Sequence, residues 1–268
     1  MFPARAMTVL GGDSFRDEYS LAFDGSDQYV DCGIPSTILD DSLGTIALWV
    51  KNTASGGNKI MFSGSADGDA SSDLTIAKNS SEKLWIFVRN DGGSNLLTFT
   101  STASLVQNAW HHIVFAVGSS SNAIYIDGTL AAGAYAQGDN TTQKWFSDVT
   151  DIDTLLIGAR RDSSAVELFW QGNISDVSYY DKQLSASEVA TIYNGRESYN
   201  HREGIASNNL KAWWRMGDGV LDRYISSGGA NASGVISDES ITTSVDTSTN
   251  AMADNPTMET DSDWTASN

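Results

Sequence analysis

"WHHIVFAVGSSSNAIYIDG", residues 110–128, decides the fold class. Its two runs, "WHHIVFAV" and "AIYID", are rich in β-branched and aromatic residues. The second ends at Asp127-Gly128, a pair that favours a type I′ turn. The stretch therefore reads as β-strands closed by a tight turn. It also holds two of the three histidines in the chain. Successive strand residues point to opposite faces, so His111 and His112 diverge and cannot share one metal ion. One inward and one outward scaffold histidine are expected.

The same pattern runs through most of the 268 residues. Glycine is plentiful at 24 and proline scarce at 3, and short alternating runs are separated by Gly, Ser, Asn and Asp. That is the signature of an antiparallel sandwich. Strands are predicted at 19–25, 29–33, 44–51, 58–65, 72–79, 83–90, 95–102, 109–117, 122–128, 129–136, 154–161, 168–181 and 210–218. Trp49, Trp85, Trp110, Phe115 and Tyr125 are read as large core residues, and Trp213 and Trp214 as strand neighbours on opposite faces. "LSASEVATIYNG" (184–195) breaks the β pattern. Ser185 with Glu188 three residues on forms a capping box, Val189 and Ile192 an apolar stripe, and Gly195 a stop, so one short helix is predicted.

Composition narrows the function. One cysteine, Cys32, allows no intrachain disulfide and no Cys-based zinc site. With 34 acidic against 16 basic residues the net charge is −18, which argues against a nucleic-acid partner. No run approaches the roughly 20 apolar residues that insert into a membrane. The start of the chain lacks the apolar core of a signal peptide, and synthesis in the cytoplasm is expected. Residues 226–268 are rich in Ser, Thr, Ala, Asn and Asp, a composition that builds no core. The expected organisation is an N-terminal arm (1–16), a sandwich domain (17–225) and a low-complexity C-terminal tail or arm (226–268).

In order, "SLAFDGSDQYVDCG", "GTIALWVK", "NAWHHIVFAV", "AIYIDGTLAAG", "LLIGAR" and "FWQGNISDVSYYDKQLSASEVATIYNG" resemble the laminin-G-like family, a branch of the concanavalin A-like lectin/glucanase superfamily to which pentraxins are related. The resemblance spans roughly residues 17–200. It implies an all-β, two-sheet antiparallel jelly roll, with the one helix and the tail appended. It also implies that Trp110 and His112 serve packing. "NPTMETDSDW" near the end resembles the opening strand of galactose-binding-like jelly rolls.

Three kinds of site are conceivable in this sequence. The Glu-x-Asp-x-x-Glu motif of the superfamily's glucanases is missing, as are G-x-S-x-G and H-E-x-x-H, so no enzyme is expected. Were the chain a diverged endoglycanase, Glu167 or Asp176 would be essential. The resemblance to pentraxins places a calcium site at Asp67, Asp69 and Asp73 with Asp162, facing oxygens to one ion. Arg160 and Arg161 stand where that family has acidic and amide ligands, and would repel calcium or satisfy the aspartates directly. A sugar platform is read at Tyr135 and Trp145, aromatics in polar surroundings. Together these readings give a non-enzymatic virion-surface protein (capsid decoration, fibre or tail-associated). It would assemble with other virion proteins and with itself as a homo-oligomer, and bind host-surface glycans. The alternatives are a secreted or cell-surface bacterial lectin module and a diverged glycan hydrolase.

Overall fold

A computed structural model describes residues 20–33, 38, 41–66, 72–163, 165–196, 199–216 and 223–225. Two antiparallel sheets form a sandwich. The first contains, in spatial order, β10 (Thr129–Leu130), β9 (Asn122–Ile126), β8 (Trp110–Val117), β3 (Gly44–Asn52), β15 (Gln171–Tyr180), β16 (Leu210–Trp214) and β17 (Arg223–Ile225). The second contains β11 (Gly133–Gln137), β7 (Ser94–Ser104), β6 (Lys83–Asn90), β5 (Asp73–Lys78), β4 (Lys59–Ser65), β12 (Thr154–Ile157) and β2 (Val30–Asp31). A separate hairpin joins β13 (Arg160–Asp162) to β14 (Ala165–Glu167).

Strand β15 organises the first sheet. Along one edge it pairs with β3. Along the other, β1 (Leu21–Asp24) pairs with residues 171–174 and β16 with residues 177–180. Between those partners the strand bulges, with Asp176 at φ 52°. An extra residue in a bulge re-aims a side chain out of the regular alternation.

Alternation then sorts the side chains. Ile46, Leu48 and Val50 of β3, Ile113, Phe115 and Val117 of β8, and Trp214 of β16 turn into the inter-sheet core. They meet Leu74, Ile76, Leu84, Ile86, Val88, Leu97 and Phe99 from the second sheet. Full burial of each such side chain contributes roughly 1.5–3 kcal/mol. The opposite face of the first sheet is also covered. Ala47, Val114, Tyr125, Tyr180 and Trp213 lie against Leu184, Val189, Ile192 and Leu210, while Trp49 and Trp110 pack with Tyr193. The helix α1 (Ala186–Tyr193) supplies much of that cover. Ser185 caps it, accepting from the Glu188 N–H, and Glu188 accepts from the Ser185 N–H at 2.8 Å. Asn194, left-handed at φ 47°, ends it one residue before the expected glycine.

Asp127 and Gly128 take positive φ (51° and 72°) in a two-residue turn between β9 and β10, as a type I′ turn requires. Two predicted strands divide. Residues 129–136 split because the chain changes sheet. The Ala131 N–H still bonds Ile124 of β9, whereas the Ala132 carbonyl accepts from Thr102, at the strand facing β11. Residues 154–161 split at Gly158 (φ 86°), where an added Cβ would lie 2.7 Å from the Phe23 ring. Trp85 is a third correction. It is half-buried on the outer side of the second sheet, because its neighbours Leu84 and Ile86 take the inward positions. Among the described residues no helix is long and apolar enough to cross a membrane.

Trp213 and Trp214 are 1% and 4% exposed on opposite faces, so the segment after residue 200 is part of the sandwich. Removing residues 201–268 should abolish the cooperative thermal transition, as read by circular dichroism. A truncated chain that melts like the full one would show that β16 adds nothing to the core.

Candidate functional site

The three histidines are structural. His111 Nε2 accepts the Val106 N–H at 2.9 Å, so the neutral ring carries its proton on Nδ1 and donates to Asp127 Oδ2 at 2.9 Å. The other Asp127 oxygen accepts the His112 N–H at 2.9 Å, which ties the turn back onto β8. His112 faces the other way, 5.0 Å from the Trp49 ring and 5.9 Å from Tyr193.

Behind His112 lies a sealed polar network. Asp176, turned by the bulge, accepts from Trp213 Nε1 and pairs with His201 Nε2 at 3.1 Å; His201 Nδ1 in turn bonds the Tyr180 hydroxyl. Burial alone would raise the Asp176 pKa. The attraction of His201 and the bonds from His201 and Trp213 outweigh it and hold the carboxyl below its ordinary range. Burial depresses His112 most, from 6.5 to about 4; Asp176 opposes that effect and His201 adds to it. An Asp–His–Tyr arrangement suggests catalysis, yet Asp176 is 3% exposed and His201 1%. No substrate atom reaches them.

The second polar cluster is at the surface, on the outer side of the second sheet. Asp73 and Arg89 are directly opposite in the β5–β6 ladder. Arg89 donates through Nε and Nη2 to the two Asp73 oxygens, both at 2.7 Å. Arg160, from the β13–β14 hairpin, donates through Nη1 to Asp73 Oδ2 (3.1 Å) and through Nη2 to Asp162 Oδ2 (2.7 Å) and Glu167 Oε1. Burial works against the Arg160 charge, but Asp73, Glu167 and Asp162 together raise its pKa above the ordinary value. This geometry corrects the calcium expectation. Asp73 and Asp162 converge on a guanidinium, and a divalent ion there would sit against its positive charge. Asp67 and Asp69 lie outside the described residues. Among the described residues no group of three or more His, Cys, Asp or Glu side chains is arranged to hold a metal ion.

The expected sugar platform also needs correction. Trp145 is fully buried, its ring 5.3 Å from Phe115 and 6.2 Å from Tyr179. It enters the core because Gly44 has no Cβ; one there would lie 2.9 Å from the indole. Tyr135 is half-buried and edge-on to Phe99, and its hydroxyl donates to Asn122 at 2.6 Å. Both aromatics serve packing, although polar neighbours in sequence suggested a surface.

An aromatic pair that the sequence reading missed lies on that outer side instead, with Trp85 partly exposed and Phe87 buried beneath its neighbours. Trp85, Phe87 and Arg89 alternate with the inward Leu84, Ile86 and Val88 of β6, so they share the outer face. The Trp85 and Phe87 ring centroids are 4.4 Å apart, and the Arg89 guanidinium lies 4.7 Å above Phe87. Opposite them on β7 stand Thr100, Thr98 and Asn95. The signal was legible: Arg89 has the same parity as Trp85, which marks that side of the strand as the wet one.

The architecture is a two-sheet antiparallel sandwich with one outer face covered by the helix and the returning segment. A family profile described as the concanavalin A-like lectin/glucanases superfamily (Laminin_G_3) matches residues 24–190, and the chain belongs to that family. No curated protein matches the sequence. Among solved structures, the chain is similar to the CBM40 of the Ruminococcus gnavus IT-sialidase bound to α2,3-sialyllactose. The TM-score is 0.56 at 16% identity, over 66% of this chain and 96% of that one. The leech intramolecular trans-sialidase gives 0.53 at 21% identity, over 70% of this chain and 29% of that one. A putative carbohydrate-binding protein of Bacteroides ovatus gives 0.50 at 14%, over 74% and 52%.

Two predictions follow from the clusters. The folded chain protonates His112 only near pH 4, whereas the unfolded chain does so near 6.5. Stability therefore falls as pH drops through that window, by about 3 kcal/mol from this residue. Melting curves of His112→Gln should be flatter between those limits, and a slope equal to wild type would refute the assignment. Arg160→Met leaves Asp73, Asp162 and Glu167 without their shared cation, and should cost about 3 kcal/mol in urea unfolding. Unchanged stability would mean the fork carries no structural load.

Proposed function

We propose that this chain is a non-enzymatic glycan-binding module that takes its ligand on the outer face of β6 and β7. The partly exposed Trp85, packed on the buried Phe87 on the same side of the strand as Arg89, carries the reading. A sugar ring has an apolar C–H face that stacks on an aromatic side chain, and hydroxyls that need donors and acceptors around it. Trp85 offers the face. Thr98, Thr100 and Asn95 offer hydroxyls and an amide. The paired geometry with Asp73 leaves Arg89 Nη1 without a hydrogen bond among the described residues, so a fixed donor remains.

The fold likeness to a sialyllactose-bound CBM40 and to a putative carbohydrate-binding protein supports the same reading. Support for a non-enzymatic role comes from the carboxyls. Asp176 is sealed on the outer side of the first sheet, while Glu167 sits with Arg160 on the second. They flank no common bond, as glycoside cleavage requires. The setting proposed for the module is the surface of a virion, with residues 1–16 and 226–268 attaching it to other virion proteins and to further copies of itself. The composition of those segments supports it.

A glycan array probed with the full chain, with calcium and with EDTA, tests the reading. Binding should be equal in both, and Trp85→Ala should weaken it by about five- to thirtyfold, since losing a stacked aromatic removes roughly 1–2 kcal/mol. No binding to any glycan would overturn the proposal, and binding that EDTA abolishes would move the site away from the arginine cluster.

A further inference from the structure

We infer that the glycan taken by the β6–β7 face is neutral, not acidic; this rests on the glycan-binding reading above. A ligand carboxylate is best held by a guanidinium fork, through two parallel hydrogen bonds. The site has two such forks, and both already hold carboxylates of the protein. Arg89 grips Asp73 through two nitrogens, and Arg160 spans Asp73, Asp162 and Glu167. Two positive charges thus face three negative ones.

To take the Nε–Nη2 fork of Arg89 an incoming carboxylate would have to displace Asp73, whose side chain is 1% exposed; the Nη1 side it can still reach belongs to a guanidinium whose charge Asp73 already offsets. Displacement would strand a buried anion without its partners, a strongly unfavourable exchange. Lys83, at the start of the same strand, makes no ion pair among the described residues. Its ammonium is a hydrated point charge without the fork geometry that selects a carboxylate. The whole chain carries a net charge of −18, so an acidic ligand also approaches against repulsion. Lys83 apart, the groups left for a ligand are uncharged: the Trp85 ring, the Thr98 and Thr100 hydroxyls and the Asn95 amide, beside the outward Nη1 of a neutralised arginine. Such a surface matches the hydroxyls and C–H face of a neutral pyranose.

The test compares matched pairs on the full chain: the same oligosaccharide with and without a terminal sialic acid, titrated at about 50 and about 500 mM salt, which changes the screening length severalfold. The neutral member should bind at least about threefold tighter at low salt, and the sialylated member should gain affinity as salt rises. In Glu167→Gln, whose side chain is 41% exposed in the wild type, the penalty for sialylation should shrink. Tighter binding of the sialylated member, weakening with salt, would overturn the inference and leave the glycan-binding reading standing. So would an unchanged sialylation penalty in Glu167→Gln. Failure of both members, and of every other glycan, would instead overturn the parent reading and this inference with it.

Discussion

The bulge in β15 is the constraint on which the first sheet depends. A ten-residue strand must pair with β3 along its whole length on one edge, yet serve two shorter strands, β1 and β16, end to end on the other. One residue of slack between them absorbs the mismatch. That residue, Asp176, turns its carboxyl into the layer behind the sheet, where Trp213 and His201 meet it. A buried carboxylate is costly unless it is paired and hydrogen-bonded. Satisfying it therefore fixes where the segment after α1 returns, and so closes that face of the sheet.

The two outer faces consequently have different fates. On the first sheet, the helix and the returning segment bury Trp49, Trp110 and Trp213, and the aromatics there are core. On the second sheet, the β13–β14 hairpin is pinned over Asp73 by Arg160, and the half-buried Trp85 and Arg89 of β6 share that outer side. Arg160 joins two carboxylates of its own hairpin, Asp162 and Glu167, to Asp73 of β5, which is the job a bound cation does in an oxygen-rich loop site. A guanidinium does it with directional bonds and no exchangeable ion, which makes the geometry of this corner a property of the chain itself. Neutralisation within the cluster also means that its two guanidinium groups bring no net positive charge to the neighbouring surface.

The sequence by itself determined the fold class and much of the local structure. The period of two, the Asp127-Gly128 turn and the Ser185–Glu188 capping box are local properties, legible because each depends on residues within a few positions of one another. The divergence of His111 and His112 follows from the same period. The warning about Arg160 was also in the sequence, since two cations stood among expected calcium ligands. What the tertiary structure alone decided is which side of a strand is wet. Trp145 lies in a polar stretch yet fills the core beside Gly44, while Trp85 lies in an apolar stretch yet faces outward. Burial depends on which element covers a face, and the covering elements here arrive from positions distant in the chain. The meeting of Arg160 with Asp73, and of His201 with Asp176, is long-range for the same reason: pattern sets local geometry, and only packing sets which charges become neighbours.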